Sequence, residues 1–403
     1  MNNLNLDKNK KYLLACSFGP DSMACFHLLL QSGYKFEVAI VNYHLREESN
    51  LEVQGLKEFC DASDIVIHVF DVKKLIVKDI ENECRKIRYQ FFKKIVEERR
   101  LSAVIVAHHQ DDVLETYLIQ KYRQNLPEYY GIKEKTHIFG MDVIRPLLAY
   151  KKKDLVKICE DNNVPYMIDA SNYEITYLRN KIRHEIVAKL SDQERAKLLQ
   201  EIAEKNKELQ SIFSVINDSN IHEIKTLIYF DEITYLYAIN VMVKEANKNT
   251  SISKKLALEL LNIINSNHPN VRLKIPHNLY FVKEYDQVYF EGDRKDISYC
   301  YVIDKPQVLD TIYLYLDFRG DTKNRNVTPD DYPLTIRNAQ KGDKATIKNY
   351  EVEVRRLFID WKMPMSIRKM WPVIVNKNGV IIYVPRYKKD FKPEADSNFF
   401  VKI

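Results

Sequence analysis

The chain has 403 residues, 45% of them hydrophobic and 29% charged, enough for two or three separate cores and too polar for a membrane-embedded body. No apolar run is long enough to span a bilayer, and the polar, then basic start MNNLNLDKNKK lacks the apolar stretch of a secretory signal, so a cytoplasmic location is expected. The net charge of +6 is uneven: residues 333–403 hold fifteen Lys/Arg against seven Asp/Glu, a local +8, leaving the preceding chain at −2. Basic residues gathered at one end and interleaved with Tyr, Trp and Phe suit a polyanion partner, although a solvated lysine-rich surface has the same composition. Cys16, Cys25, Cys60, Cys84, Cys159 and Cys300 form no C-x-x-C pair for zinc or thiol relay, and most read as small core residues in a reducing compartment.

From residue 11 to 110 short apolar runs alternate with longer amphipathic stretches. YLLAC (12–16), FEVAIVN (36–42), IVIHVF (65–70) and AVIVA (103–107) read as buried strands, with helices near 21–32, 47–62 and 80–100. This alternation predicts a parallel sheet with right-handed crossovers, whose ligands bind at the carboxyl ends of the strands.

The first strand runs directly into Ser17-Phe18-Gly19-Pro20-Asp21-Ser22 and then the helix MACFHLLLQ. A small-residue turn there aims backbone N–H groups and a helix N-terminus at one point, where an anion is favoured, but the same residues also make an ordinary helix cap. Neither a Walker loop nor a G-x-G-x-x-G turn is present. After the fourth strand come His108-His109-Gln110-Asp111-Asp112-Val113-Leu114-Glu115-Thr116, two imidazoles and several carboxylates at a strand end, with Glu115 one helical turn on. The cluster suits a metal or an ammonium group better than zinc, although Asp111 and Asp112 alone would satisfy a helix dipole. Arg179 and Arg183, four apart in YLRNKIRH, share a helix face and could clamp phosphates, or form a plain basic face. Residues 191–265 read as helix-rich, 270–292 as a hairpin and GVIIYVP near the end as a strand.

Taken together, in order and spacing, these segments resemble the tRNA(Ile)-lysidine synthase family of PP-loop ATP pyrophosphatases. Ser17, Gly19, Asp21 and Ser22 match its S-G-G-x-D-S signature, with Phe18 in place of the first motif glycine. Residues 83–92, ECRKIRYQFF, look like its A-R-x-x-R-Y-x-F-F helix, and A-H-H-x-D-D-x-x-E-T is complete from Ala107 to Thr116. Ile144-Arg145-Pro146-Leu147-Leu148, Asp169-Ala170-Ser171-Asn172 and residues 178–184 resemble three further elements. In the second strand Asn42 and Tyr43 replace the usual Asp and His, while Arg46 is retained. At the C-terminus the likeness continues through Arg337, Lys341-Gly342-Asp343, LFIDWKMP (357–364) and Arg368-Lys369-Met370-Trp371-Pro372-Val373.

The resemblance implies an α/β protein: a Rossmann-like PP-loop ATPase domain at 1–190, a helix-rich middle domain at 191–295 and a small basic α+β tRNA-binding domain at 333–403. It implies an enzyme that activates the C2 oxygen of a wobble cytidine with ATP, releases pyrophosphate, and lets the lysine ε-amine displace AMP. Expected partners are tRNA(Ile) with a CAU anticodon, L-lysine, ATP with Mg²⁺, and a second copy of the chain. Ser17, Phe18, Gly19, Pro20, Asp21 and Ser22 would hold ATP, with Asp21 and Asp111 as metal ligands. Asp112, Glu115 and Arg179 are the catalytic candidates, with Asp112 and Glu115 also meeting lysine. Arg88, Arg145, Arg183, Arg337 and Arg368 are expected on ATP or tRNA phosphates. A PP-loop tRNA thiolase, an amide-forming PP-loop synthetase and a non-catalytic tRNA-binding relative are the competing readings.

Overall fold

The computed structural model describes residues 4–44, 48–73, 80–124, 126–167, 177–248, 250–293, 297–319, 327–347 and 350–388. Arg46 and the 169–172 motif lie outside them. The chain divides into two compact units, Met1–Ser211 and Ile212–Ile403.

The first unit is built on a six-stranded sheet. β1 (Lys11–Ala15), β2 (Lys35–Asn42), β3 (Ile67–Asp71), β4 (Val104–Val106), β5 (Lys135–Ile138) and β6 (Met141–Ile144) lie in the order β3-β2-β1-β4-β6-β5. All neighbours are parallel except β5 and β6, which form an edge hairpin turning at Phe139 and Gly140, both with positive φ. Between the strands run α1 (Pro20–Gln31), α2 (Glu48–Ala62), α3 (Ile80–Arg99), α4 (Gln110–Tyr122), and, after the sheet, α5 (Lys152–Asp161).

Near-continuous apolar strands are needed because helices cover both faces. Tyr12, Leu14, Val38, Ile40 and Ile105 pack with Met23, Phe26 and Leu29 of α1, Leu56 of α2 and Leu155 of α5. Leu13, Ala39, Val104 and Val143 face the other way, onto Tyr89, Phe92 and Ile95 of α3. The side chains alternate between faces with period two, which sets the register of every strand.

At the end of the sheet remote from the strand carboxyl termini, Glu37 is 1% exposed. Its carboxylate accepts from Lys11 Nζ (2.7 Å) and Arg99 Nη2 (3.0 Å), and its other oxygen lies 2.6 Å from His68 Nε2. Burial alone would raise its pKa, but Arg99, Lys11 and His68 outweigh it and bring the group from 4.5 to about 2.

The second unit holds helices Ile224–Tyr229, Glu232–Ala246 and Lys254–Ile264, then three strands rather than the expected hairpin: Asn270–Ile275, Leu279–Glu284 and Gln287–Glu291. No glycine marks these turns. His277, Asn278 and Tyr285 supply the left-handed φ values instead, so the second reversal has no compositional signal. A second six-stranded sheet follows, in which Cys300–Ile303 pairs with Leu334–Asn338 and the latter with Pro372–Val375. Its core is centred on Trp371, fully buried, whose Nε1–H donates to Pro385 O at 2.7 Å. Within this unit Glu284 accepts from the Ser366 amide (2.6 Å) and hydroxyl (2.9 Å), joining the three-stranded sheet to the helix Met365–Arg368. Among the described residues no helix is long and apolar enough to cross a membrane.

A pKa held low in the folded state gives stability that is complete above the unfolded value and is lost as pH falls. For Glu37 that window runs from 4.5 down to about 2. Lys11 and Arg99 are 43% and 48% exposed and can rehydrate, so Glu37→Gln should cost about 2 kcal/mol at neutral pH, below the range for fully buried pairs. Thermal melts against pH should show the variant losing less stability than the parent across that window. Parallel acid profiles would contradict this role for Glu37.

Candidate active site

From β1 the chain moves to β2 on one side, whereas from β4 it moves to β6 and β5 on the other. The carboxyl ends of β1 and β4 therefore flank the crevice where such sheets bind ligands. Residues 17–22 leave β1 there, and His108 and His109 leave β4.

The first turn is held by its own hydroxyls. Ser22 Oγ donates to Gly19 O (2.9 Å) and accepts from the Ser17 amide (3.3 Å), with Ser17 Oγ 3.5 Å away. Gly19 is the N-cap of α1 and Pro20 its first residue, where a missing N–H costs nothing. Phe18 adopts φ +59°, the left-handed conformation that a glycine takes without penalty. Its carbonyl accepts from the Met167 amide at 2.9 Å. Asp21, in the first turn of α1, has one buried carboxylate oxygen, Oδ1, without a hydrogen-bond partner.

His109 joins the two strand ends. Its Nε2 lies 3.5 Å from Asp21 Oδ2 and 3.4 Å from Asp112 Oδ2. Burial pulls the imidazole pKa down, but Asp21, Asp112 and Asp111 outweigh it and hold it above the usual value. Lys152 Nζ, on α5, adds a cation 3.7 Å from Asp21 Oδ2. Asp112 is buried on α4, and its Oδ2 accepts from the His109 amide at 3.0 Å. Burial opposes its ionisation, yet His109, His108 and Arg179 hold its pKa below the ordinary value.

Glu115, one turn further on, is 0% exposed. Both oxygens are occupied: Arg183 donates from Nε (2.6 Å) and Nη2 (3.0 Å), and Arg179 from Nε (3.1 Å). The arginines lie on α6 (Tyr177–Lys181) and the π turn Ile182–Ile186 that continues it, a widening common at functional sites. Arg179 Nη2, not used on Glu115, approaches Asp112 Oδ1 at 3.6 Å, and Arg183 Nη2, already bonded to Glu115, lies 3.9 Å from the same oxygen. Two buried carboxylates and two half-buried guanidiniums thus form one array at the start of α4.

Several residues expected at the site are engaged otherwise. Glu115, expected to meet lysine, receives both arginines. Asp111, expected on a metal, receives Arg195 Nη1 (2.7 Å) and Nη2 (3.3 Å) from α7, Asp192–Asn217. Arg145, expected on phosphates, is 5% exposed and donates to His108 Nδ1 (3.1 Å), Lys133 O (2.9 Å) and Thr136 Oγ1 (3.0 Å). Arg88 is exposed on α3, beside Tyr43 and Cys84. In the second unit Arg337 forms a double bond-pair with Asp343 (2.8 and 2.9 Å), and Arg368 donates to Met363 O and the Tyr285 hydroxyl. A surface count of arginines cannot separate such struts from free cations, because both carry the same residue type.

The sequence motifs give no role to Lys152 or Arg195, and they place His108 and His109 in the cluster after β4 without separating their roles. Burial pushes the His108 pKa down to about 4, and its Nδ1 accepts from Arg145, so the neutral ring carries its proton on Nε2. The paired histidines were visible in the sequence, but their division into a neutral and a charge-bridging ring depends on partners from β5, β6 and α1.

Because Glu115 is a buried counter-ion to two arginines, Glu115→Gln should destabilise the first unit by about 3 kcal/mol, a melting shift of roughly 5–10 °C. Differential scanning calorimetry checks this. A higher KM for lysine with an unchanged melting temperature would instead make Glu115 a substrate contact.

The PP-loop domain family matches residues 1–190. Over 413 residues the chain is 28% identical to the tRNA(Ile)-lysidine synthase of Mycoplasma mycoides, covering 95% of this chain and 98% of that one. It is 30% identical over 389 residues to the tRNA(Ile)-lysidine synthase of Lactococcus lactis, covering 92% and 86%. It is also 28% identical over 420 residues to the bifunctional protein TilS/HprT of Listeria monocytogenes, covering 94% of this chain and 65% of that longer one. A fold with the two strand-end turns at its switch point, and full-length likeness at this level, place the chain in the tRNA(Ile)-lysidine synthase family.

Proposed function

We propose that the protein joins L-lysine to C2 of the wobble cytidine of tRNA(Ile) with a CAU anticodon, consuming ATP. The observation that carries this reading is the convergence of the residue 17–22 turn with His109, Asp112 and the Glu115-held arginines at the β1 and β4 carboxyl ends. The turn and the α1 N-terminus offer N–H groups and hydroxyls to phosphates. Arg179 and Arg183, fixed by Glu115, present their outer nitrogens to negative charge that grows as pyrophosphate leaves the α-phosphorus.

In the first step the cytidine O2 forms a bond to that phosphorus as the bond to pyrophosphate breaks. In the second the ε-amine bonds to C2, the C2–O2 bond breaks, and AMP departs with the former carbonyl oxygen. Lysine reaches the site as an ammonium and must first lose a proton, which passes to solvent water. Asp112, kept ionised by its cationic neighbours, is a charge partner for that ammonium; its lowered pKa makes it a poor proton acceptor.

The unpartnered Asp21 Oδ1 fits a Mg²⁺ ion that takes one protein carboxylate and completes its shell with phosphate oxygens and water. Such an ion would neutralise the triphosphate. We do not assign Asp111 to this ion, since Arg195 donates to its carboxylate. Residues 333–403, with exposed Arg355, Arg356 and Lys362, suit contacts to the tRNA backbone.

Purified protein with ATP, labelled lysine and an unmodified isoleucine tRNA bearing CAU should yield labelled tRNA, AMP and pyrophosphate. Asp112→Asn should raise the KM for lysine by about tenfold or more while leaving that for ATP within about twofold. Intact tRNA binding with neither AMP nor labelled tRNA would overturn the reading and favour a non-catalytic relative.

A further inference from the structure

Gly55 is the eighth residue of α2, Glu48–Ala62, an interior helix position where glycine is disfavoured relative to alanine. A Cβ built there would lie 2.7 Å from both Cε1 and Cζ of the Phe18 ring, closer than real Cβ contacts allow. Phe18 cannot easily give way. Its ring is 5% exposed within the core that includes Val53 and Leu56 of α2 and Met23 of α1. Its backbone sits at φ +59°, and its carbonyl is tied to the Met167 amide. On either side are Ser17 and Gly19, whose amide and carbonyl are held by the Ser22 hydroxyl.

We infer that Gly55 is a positioning residue of the ATP-binding turn: its missing side chain admits the Phe18 ring, and the seated ring holds residues 17–22 in the conformation that a glycine at position 18 would reach unaided. The two positions act as one device. A bulky residue in the left-handed conformation is unfavourable alone, and packing against the bare face of α2 compensates for it. The inference rests on residues 17–22 being the ATP turn, as proposed above, and extends the turn's support to a helix that carries none of its signature.

The test is a cycle of Gly55→Ala, Phe18→Gly and the double variant, read by ATP affinity, melting temperature, and KM for ATP against KM for lysine. Gly55→Ala alone should weaken ATP binding by about tenfold, with the KM for lysine changed less than about twofold, as expected when only the turn is displaced. In the Phe18→Gly background the sign should reverse: adding Gly55→Ala should raise the melting temperature and leave or improve ATP binding, because the new methyl then meets no ring. If Gly55→Ala fails to fold on its own, the double variant compared with Phe18→Gly still gives that sign. Unchanged ATP affinity in Gly55→Ala, or an equal loss in both backgrounds, would overturn the inference while leaving the enzyme reading intact. Parent protein that binds no ATP would instead defeat the underlying reading.

Discussion

A carboxylate with no solvent exposure is tolerated only where cations reach it, and Glu115 is reached by two. Because it sits one turn inside α4, the helix launched from β4, its position is set by the sheet. Arg179 and Arg183 come from a separate segment more than sixty residues later, so the pairing brings α6 and the following π turn onto the strand ends. Glu115 also raises the Arg183 pKa further above its usual value, so the guanidinium stays charged. The rest of the site follows from that anchorage, since it brings the two guanidiniums to 3.6 and 3.9 Å from Asp112 Oδ1.

The surrounding ion pairs divide into two kinds. Asp111–Arg195, the hydrogen bond from Arg145 to neutral His108 and, at the far end of the sheet, Glu37 with Lys11, Arg99 and His68 are closed sets that hold elements together. Asp21, Lys152, Asp112 and the Nη2 of Arg179 are open: their separations of 3.6–3.7 Å and the bare Asp21 Oδ1 leave capacity for a ligand. The open set lies at the switch point of the sheet. A triphosphate and an ammonium need this combination of anion- and cation-binding groups.

Much of this was legible in the sequence because it depends on local pattern. Strands buried on both faces must be near-continuously apolar: 12–16 and 103–107 are wholly so, and 36–42 is broken only by Glu37 and Asn42. What escaped depends on tertiary partners. Nothing near Asp111 announces Arg195, and nothing near Arg337 distinguishes a strut to Asp343 from a tRNA contact. Phe18 stands in place of the first motif glycine and adopts a positive φ, which a glycine reaches without penalty, with its ring seated against Gly55. The third strand of the 270–291 sheet was hidden for a related reason: its turns use His, Asn and Tyr in the left-handed region.

The central claim is that a cytidine oxygen, activated on ATP at the β1 and β4 strand ends, is exchanged for the nitrogen of lysine. An isotope label follows that atom directly. With tRNA carrying ¹⁸O at C2 of the wobble cytidine, mass spectrometry of the nucleotide product should find the label in AMP, one atom for each lysine joined. Unlabelled AMP, or ¹⁸O retained in the modified tRNA, would contradict the account.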